Sequence, residues 1–213
     1  HDAVDTHLTP SGIVTCATCH PGGQEDGLSW FLSTTAIPRK LRRTPAAWGA
    51  RPGLAPFHWD GEFTDAALLS RTGIHELMGG DALLVDLDAI GAYLAEIAPP
   101  PPRPVTPAES ARVEAGRATF AASGCGDCHA GAGLADGLRH EVLDPSLDPD
   151  GVLASVDTPT LLGVRSRAPY LHDGRAQSLR AVLMEHNPAD RHGITSSLSA
   201  DEIDSLIAYL ETL

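Results

Sequence analysis

The sequence is poor in aromatic residues and in basic residues. Only 5% of its 213 residues are Phe, Trp or Tyr, although 42% are hydrophobic. Large aromatic side chains contribute much of the volume of many cores, so we expect something else to help fill the interior. Acidic residues outnumber basic ones by 28 to 15, which gives a net charge of −13. This charge argues against a nucleic-acid partner and suits a basic protein partner.

Long apolar runs are also absent. No stretch reaches the roughly 18 apolar residues of a membrane-spanning helix. Residues 1–10 lack the basic start and apolar stretch of a signal peptide, so we expect a mature form or an excised domain. The length suits one large domain or two of about 100 residues each.

Cysteine is scarce, and all four cysteines lie in two copies of one motif, Cys-x-x-Cys-His. The copies are Cys16, Cys19 and His20, and Cys125, Cys128 and His129. A Cys-x-x-Cys pair serves as a redox dithiol, as half of a zinc site or as a haem attachment site. The His directly after the second cysteine favours haem attachment, in which two thioethers hold the porphyrin and the imidazole binds the iron.

A zinc-stabilised interaction module is the main alternative without redox chemistry, because two such pairs could supply four thiolates. The pairs lie in opposite halves of the chain, however, which is unusual for a structural zinc site. A four-thiolate site would also leave both histidines unused, and so would a disulfide scaffold. The duplication therefore indicates two covalently bound haems.

The two halves repeat further motifs in the same order. Residues 44–49 (TPAAWG) correspond to residues 158–163 (TPTLLG), and residues 55–61 (APFHWDG) correspond to residues 168–174 (APYLHDG). The proline-rich residues 98–107 lie between the halves and cannot form a helix or a central strand. We therefore predict one domain over residues 1–104 and another over residues 105–213.

Helical periodicity is present in three segments, residues 87–97, 109–122 and 200–212. Ser199 and Glu202 have the spacing of a capping box at the start of the third. We find no convincing alternating pattern of a strand, and the remainder is rich in Gly and Pro. These features predict an all-α, loop-rich fold.

A known family shares these features. The motif CGDCH, preceded by a helix with Gly116 and Phe120 and followed by a terminal AYL helix, resembles class I cytochrome c. The paired arrangement, with residues 158–179, resembles the bacterial di-haem cytochrome c peroxidase superfamily. The resemblance is strongest over residues 110–213 and weaker over residues 12–97, which resemble a branch often attached to larger extracytoplasmic proteins. It implies two cytochrome c-like helical domains in tandem, each around a c-type haem, in the periplasm or outside the cell.

The sixth ligands of the two irons would decide the function. Met78 is our prediction for the first haem, because the glycines after it let the backbone approach the porphyrin closely; His58 is the alternative. His192 is our prediction for the second haem, because it occupies the register of Met78 in the repeat. His186 and Met184 are the alternatives there.

Three arginines flank the Thr-Pro motifs and are predicted partners of the haem propionates: Arg43, Arg165 and Arg167. Exposed side chains are the alternative for all three. His172 lies in the repeated turn, where it can hydrogen-bond a propionate or the backbone. Trp59 lies either near the gap between the haems or in ordinary packing.

Two functions fit these residues. With both irons saturated, the protein would transfer electrons between redox partners, towards the first haem because thioether ligation raises the reduction potential. With one labile sixth ligand it would be a peroxidase, for which His75 or Glu76 could supply the acid–base group. Electron transfer is the function that we favour.

Overall fold

A computed structural model describes residues 14–33, 40–51, 53–144, 153 and 155–213. The opening residues 1–10, from which a mature or excised chain is expected, lie outside the described residues. The chain divides into two compact units, His1–Ala98 and Pro99–Leu213. None of the helices in the described part is long and apolar enough to cross a membrane.

The described residues of the first unit form three α-helices and one small sheet. In chain order these are α1 (Cys16–Cys19), β1 (Ser29–Leu32), β2 (Lys40–Arg43), α2 (Ala66–Thr72) and α3 (Leu87–Glu96). Short 3₁₀ helices occupy Pro21–Gly23, Ala47–Ala50 and Ala82–Leu84, and a π-helix over Gly73–Leu77 follows α2 directly. Asp65 and Asp86 cap α2 and α3 by accepting backbone N–H hydrogen bonds in the first turn.

The part of the second unit that the structure describes also forms three α-helices and a small sheet. These are α4 (Ser110–Ala122), β3 (Arg139–His140), β4 (Val156–Asp157), α5 (Leu179–Met184) and α6 (Ala200–Leu210), with 3₁₀ helices at Cys125–Asp127 and Val164–Ser166. Helix α6 begins with the predicted capping box, in which Ser199 and Glu202 exchange hydrogen bonds. The three predicted helices are thus confirmed as α3, α4 and α6.

The crossing of α4 and α6 forms the centre of the second unit. Phe120 from α4 packs with Ile203, Leu206 and Leu210 from α6 in one buried cluster. Gly116 lies at the closest approach, since a Cβ atom there would be 1.8 Å from the carbonyl oxygen of Ser205. The absence of a side chain at residue 116 therefore allows the two helices to pack.

The all-α expectation is wrong in one respect, because each unit contains a two-stranded antiparallel sheet. Ser29 pairs with Arg43 in the first unit, and Arg139 pairs with Asp157 in the second. The strands are four and two residues long. Such short strands have no room for a detectable alternation of apolar and polar residues, since the period is two residues.

The repeated turns of the two halves have the same backbone geometry. Each starts with a cis Ala-Pro bond and places a non-glycine residue in the left-handed region, His58 at φ 65° and Leu171 at φ 70°. An isolated bridge closes each turn, Phe57 with Phe63 and Tyr170 with Ala176. In the first unit Asp60 also binds Lys40 and Arg42, at 3.0 Å and 2.9 Å, which ties the turn to β2.

Candidate functional site

The two Cys-x-x-Cys-His motifs form the same compact turn. The first lies on α1 and the second on the 3₁₀ helix Cys125–Asp127. The backbone N–H of His20 donates to the carbonyl of Cys16 at 2.8 Å, and that of His129 donates to Cys125 at 3.0 Å. One helical turn thus brings both cysteines and the histidine of each motif together.

The cysteines do not have the properties of a disulfide pair or a redox dithiol. All four are free. Burial raises the pKa of every one of them, and raises the pKa of Cys125 to about 11. A redox-active Cys-x-x-Cys pair needs at least one thiol with a lowered pKa. These four thiols are therefore suited to a structural attachment rather than to thiol exchange.

Both motif histidines are oriented by a backbone carbonyl. Nδ1 of His20 lies 3.2 Å from the carbonyl oxygen of Gln24, and Nδ1 of His129 lies 3.1 Å from that of Leu134. Burial lowers the pKa of both imidazoles despite these hydrogen bonds. Each ring is therefore neutral at pH 7, with Nδ1 engaged and Nε2 left as the ligand atom, as metal-binding histidines require.

In the second unit, the predicted sixth ligand faces the motif histidine. The ring centres of His129 and His192 lie 6.2 Å apart, with their planes inclined by 46°. Burial, and then the neighbouring His129, lowers the pKa of His192 to about 4. An iron between two imidazoles needs about 6 Å between ring centres, from two metal–nitrogen bonds of about 2 Å and about 1 Å inside each ring. The observed separation fits this requirement.

A buried asparagine organises the loop that presents His192. The side-chain amide of Asn187 accepts from the backbone N–H of His192 at 2.8 Å and donates to the carbonyl oxygens of His192 and Gly193. It also donates to Thr195 Oγ1 at 2.9 Å. The Asp190 carboxylate accepts the N–H groups of Thr195 and Ser196. Asn187 thus restrains the backbone of His192 from both sides.

Asn187→Ala should loosen this loop. Four hydrogen bonds are lost inside a buried site, and each stranded polar group costs about 1–3 kcal/mol. We expect unfolding to become easier by at least about 2 kcal/mol and part of the second haem to become high-spin, measured by denaturant titration and electron paramagnetic resonance. Asn187→Asp keeps the acceptor but turns the donor into a buried oxygen facing two carbonyl oxygens, so it should destabilise the loop as well. An unchanged spectrum and stability in Asn187→Ala would contradict this role.

The same loop docks against the attachment motif. The N–H of Ile194 donates to the carbonyl of Ser123 at 3.0 Å. Gly193 has φ 79°, and a Cβ atom there would lie 3.2 Å from that carbonyl oxygen and 3.3 Å from Cys125 Sγ. Glycine is therefore required after His192 both for the backbone conformation and for the close approach.

The alternative ligands of the second haem lie in the same segment. Met184 is the last residue of α5 and is 44% exposed. His186 follows it and is half-buried. Among the described residues, the ring contact with His129 is made by His192 and not by His186.

In the first unit, the pKa of His20 is lowered. Burial is the main cause of the lowered pKa of His20, and the charge of His58 lowers it further. Nδ1 of His58 lies 3.1 Å from Glu62 Oε1. Met78 directly follows the π-helix and is half-buried, and Gly79 after it has φ 71°. Ligation by Met78 stays a prediction.

The three arginines predicted to bind propionates differ in their partners. Both terminal nitrogens of Arg43 lie 3.0 Å from carboxylate oxygens of Glu25. Arg167 is buried and donates to the carbonyl of Thr160 at 2.6 Å. Nη1 of Arg165 is buried and has no hydrogen-bond partner among the described residues. A buried guanidinium nitrogen with spare donor capacity suits a carboxylate such as a haem propionate.

Four other residues are candidates for the site from the sequence: His75, Glu76, Trp59 and His172. His75 and Glu76 are exposed residues of the π-helix. The indole of Trp59 donates to the carbonyl of Arg43 at 2.9 Å, a contact within its own unit. His172 is buried.

A repeated Asp-Gly-Leu turn was missed by the sequence reasoning. Residues 26–28 and 136–138 both follow the attachment motif, and in each the Asp carboxylate accepts the N–H of the Leu. The other carboxylate oxygen binds the indole N–H of Trp30 at 2.9 Å in the first unit and Nε2 of His140 at 2.7 Å in the second. The recurrence of this tripeptide at matching positions was the signal that could have revealed it.

The second Asp-Gly-Leu turn also resembles a metal site. Ligand atoms of Cys128, Asp136 and His140 lie within 4.8 Å of one another. In the first unit the counterpart of His140 is Trp30, whose indole N–H donates hydrogen bonds but cannot bind a metal ion. The shared feature of the two units is therefore the hydrogen bond to the aspartate. It holds the turn beside the attachment motif.

The residues of each unit fit a covalently attached haem. Two thiols on one turn can form thioethers, and the imidazole that follows them has Nδ1 engaged by a backbone carbonyl, which leaves Nε2 as the ligand atom. In the second unit, an opposing imidazole and a buried arginine nitrogen that has no partner among the described residues complete the donor set. A four-thiolate zinc site would use none of these histidine and arginine features.

Comparisons with known proteins agree with this donor set. No family model matches the chain. The chain is 30% identical to the methylamine utilization protein MauG of Methylorubrum extorquens, over 98% of this chain and 75% of that protein. It is 27% identical to hydrazine synthase subunit gamma of Kuenenia stuttgartiensis, over 98% of this chain and 74% of the subunit.

Solved structures show the same fold. A structure of Kuenenia stuttgartiensis hydrazine synthase matches 98% of this chain and 84% of its own, with a TM-score of 0.78 and 22% identity. A variant of the diheme peroxidase BthA from Burkholderia thailandensis matches 98% of this chain and 83% of its own, with a TM-score of 0.64 and 16% identity. From the donor set and these relatives together, we conclude that the chain belongs to the family of MauG, within the di-haem cytochrome c peroxidase-like superfamily, and that its cofactors are two c-type haems.

Proposed function

We propose that this protein transfers electrons between redox partners through its two haems. The observation that carries the proposal is the pairing of His129 and His192, whose ring centres are 6.2 Å apart. An iron held by two strong protein ligands exchanges electrons, whereas an iron with an open position binds substrates. Bound haem c supplies the one-electron change between Fe³⁺ and Fe²⁺.

The chain's own residues would determine how each haem is held. Cys125 and Cys128 would form the thioethers of the second haem, His129 and His192 would be its axial ligands, and Arg165 would bind a propionate. Burial lowers the pKa of both imidazoles, so each ring would be neutral and available to hold the iron. The loop organised by Asn187 would hold His192 in place during the redox change.

The first haem would be attached by Cys16 and Cys19, with His20 as its axial ligand. Nδ1 of His20 donates to the carbonyl of Gln24, which orients the ring and increases the basicity of Nε2. Met78 is the sixth ligand predicted from the sequence. Because thioether ligation raises the potential above that of a bis-imidazole haem, electrons would then run towards the first haem.

Peroxide reduction at the first haem is the second candidate function. The observation that favours it is the hydrogen-bonded pair of His58 and Glu62 in the first unit, with Nδ1 and Oε1 3.1 Å apart. An imidazole coupled to a carboxylate can accept and return a proton if the iron beside it is open. This function requires that no residue saturates the first iron.

The location and partner follow from the chemistry of attachment and from charge. Covalent haem attachment in bacteria is completed outside the cytoplasmic membrane, so we place the protein in the periplasm or outside the cell, as a free chain or as part of a larger extracytoplasmic protein. Its net charge of −13 suits docking to a redox protein with a basic surface.

Stepwise reduction of the haem-loaded protein tests the proposal. We expect two low-spin haems by electron paramagnetic resonance in the oxidised and half-reduced forms, each accepting one electron. Peroxide turnover should not exceed that of a low-spin cytochrome control. A high-spin signal that appears on half-reduction, together with rapid peroxide turnover, would overturn electron transfer in favour of the peroxidase.

A further inference from the structure

The loop after the second attachment motif, residues 130–138, contains a strained backbone position. Leu134 has φ 49°, in the left-handed region that is unfavourable for a residue with a side chain. The other two left-handed residues of this loop, Gly131 and Gly137, are glycines. Strain of this kind persists only where the surrounding contacts impose it, and it is concentrated at functional sites. The contacts that hold Leu134 therefore indicate what the strain is used for.

The carbonyl of Leu134 is the acceptor that orients the motif histidine. Nδ1 of His129 lies 3.1 Å from this carbonyl oxygen. The backbone conformation of Leu134 thus sets the position of the acceptor. In the first unit the acceptor is the carbonyl of Gln24, an exposed residue with an ordinary φ of −96°. The two motif histidines therefore rely on different backbone geometries.

A buried threonine holds the loop immediately before Leu134. The hydroxyl of Thr160, a residue that is 6% exposed, donates to the carbonyl of Gly133 at 2.6 Å. The same hydroxyl accepts the N–H of Leu162 at 3.1 Å. Buried Arg167 donates to the carbonyl of Thr160 at 2.6 Å. Thr160 is thus fixed through its side chain and its backbone, and Arg167 supports it.

The loop is also held on the other side of Leu134. The N–H of Ala135 donates to the carbonyl of Ala130 at 3.1 Å. The carboxylate of Asp136 then accepts the N–H of Leu138 at 3.0 Å and binds Nε2 of His140 at 2.7 Å. The strained residue therefore lies between two fixed points, and the first of them is the hydrogen bond from Thr160.

The internal repeat provides a comparison within the same chain. Thr160 in the motif TPTLLG corresponds to Ala46 in TPAAWG, which has no hydroxyl. The loop between the motif histidine and the aspartate of the Asp-Gly-Leu turn covers residues 130–135 in the second unit and the shorter range 21–25 in the first. The hydroxyl and the strained acceptor thus occur together in the second unit.

We propose that Thr160 is a positioning residue for the axial histidine of the second haem. It acts through Gly133: its hydrogen bond keeps Leu134 in the left-handed conformation, and the carbonyl of Leu134 then accepts Nδ1–H of His129. The proposal rests on the role of His129 as an iron ligand, which the proposed electron transfer and its peroxidase alternative share. Donation of Nδ1–H to an acceptor raises the basicity of a histidine ligand, and this favours the ferric state.

Thr160→Val in the full haem-loaded chain tests this role, because valine has nearly the same shape but no hydroxyl. We expect the midpoint potential of the second haem to rise by about 59 mV, which is a tenfold change in the equilibrium constant of a one-electron couple. The potential of the first haem is the internal control and should not change. Thr160→Ser keeps the hydroxyl and should retain the original potential. Potentiometric titration followed by optical spectroscopy measures both couples.

Leu134→Gly separates a positioning role from a merely structural one. Glycine adopts the left-handed conformation without strain, so the loop should keep its geometry when the hydrogen bond from Thr160 is lost. The shift caused by Thr160→Val should therefore be smaller in Leu134→Gly than in the unaltered chain. Equal shifts in the two backgrounds would overturn the proposed link between Thr160 and the strained residue.

A measurement on the unaltered protein keeps the test decisive if Thr160→Val does not fold. Nuclear magnetic resonance of the reduced protein in deuterium oxide reports the exchange of each Nδ1–H. We expect the proton of His129 to exchange more slowly than that of His20, whose acceptor Gln24 is exposed. The opposite order would overturn the proposal.

The remaining outcomes distinguish this proposal from the proposed function. An unchanged potential in Thr160→Val, or the same shift in Thr160→Ser, would overturn the role of the hydroxyl and leave electron transfer intact. A high-spin haem on half-reduction with rapid peroxide turnover would overturn electron transfer. It would leave the role of Thr160 intact, because His129 holds the second iron in either case.

Discussion

His192→Ala is expected to convert the second haem from a six-coordinate low-spin form to a high-spin form that binds carbon monoxide. The physical reason is that the ring of His192 lies opposite that of His129, at a separation of 6.2 Å that fits one iron between them. Alanine cannot coordinate, and the surrounding loop remains held by Asn187. Optical spectra and electron paramagnetic resonance of the oxidised protein, with carbon monoxide binding in the reduced state, measure the change.

His186→Ala is the matched control for this prediction. It removes an imidazole from the same loop, six residues before His192, and should leave both haems low-spin. Imidazole added to His192→Ala should restore the low-spin spectrum, which distinguishes a lost ligand from a damaged fold. A low-spin second haem in His192→Ala, with loss of that state in His186→Ala, would assign the ligand to His186 instead.

Gly116→Ala should destabilise the second unit strongly. The added Cβ atom would lie 1.8 Å from the carbonyl oxygen of Ser205, 2.5 Å from its carbonyl carbon and 2.9 Å from Cβ of Tyr209. Two of these atoms belong to the backbone of α6, so the helices must separate to relieve the clash. Overpacking usually costs about 1–3 kcal/mol, and a backbone clash of this depth should exceed about 3 kcal/mol. Thermal and denaturant unfolding of the second unit measure the loss.

Gly91→Ala is the control for this substitution. Gly91 lies inside α3, and a Cβ atom there meets only Cβ of Ala66, at an ordinary contact distance of 3.6 Å. Alanine has a higher helix propensity than glycine, so this variant should gain about 0.5–1 kcal/mol. Similar changes in stability for the two variants would show that the helix crossing tolerates a side chain at residue 116.

Much of the architecture could be predicted because it depends on local spacing. Helices α3, α4 and α6 follow from apolar periodicity, and the start of α6 follows from Ser199 and Glu202, which interact over one turn. The attachment motifs are equally local, since each places its thiols and imidazole on a single turn. Interactions between residues at most four positions apart depend on their spacing, which can be recognised directly in the sequence.

The missed features depend on pairings between distant segments. The small sheets join strands that are too short to show a period. The role of Asn187 could not be predicted, because the sequence does not show whether an asparagine side chain faces solvent or is buried and hydrogen-bonded to backbone groups. The partners of the three arginines show the same limit, since position next to a Thr-Pro motif does not distinguish Arg43, bound to Glu25, from Arg165.

The sequence by itself determined that this chain attaches two haems and that its halves are repeats, because both conclusions depend on residue order alone. Only the tertiary structure decided which imidazole can oppose the motif histidine of the second unit, through the loop organised by Asn187. The reason is physical: coordination needs two ligand atoms on opposite sides of one iron, and that separation is set by how distant loops pack.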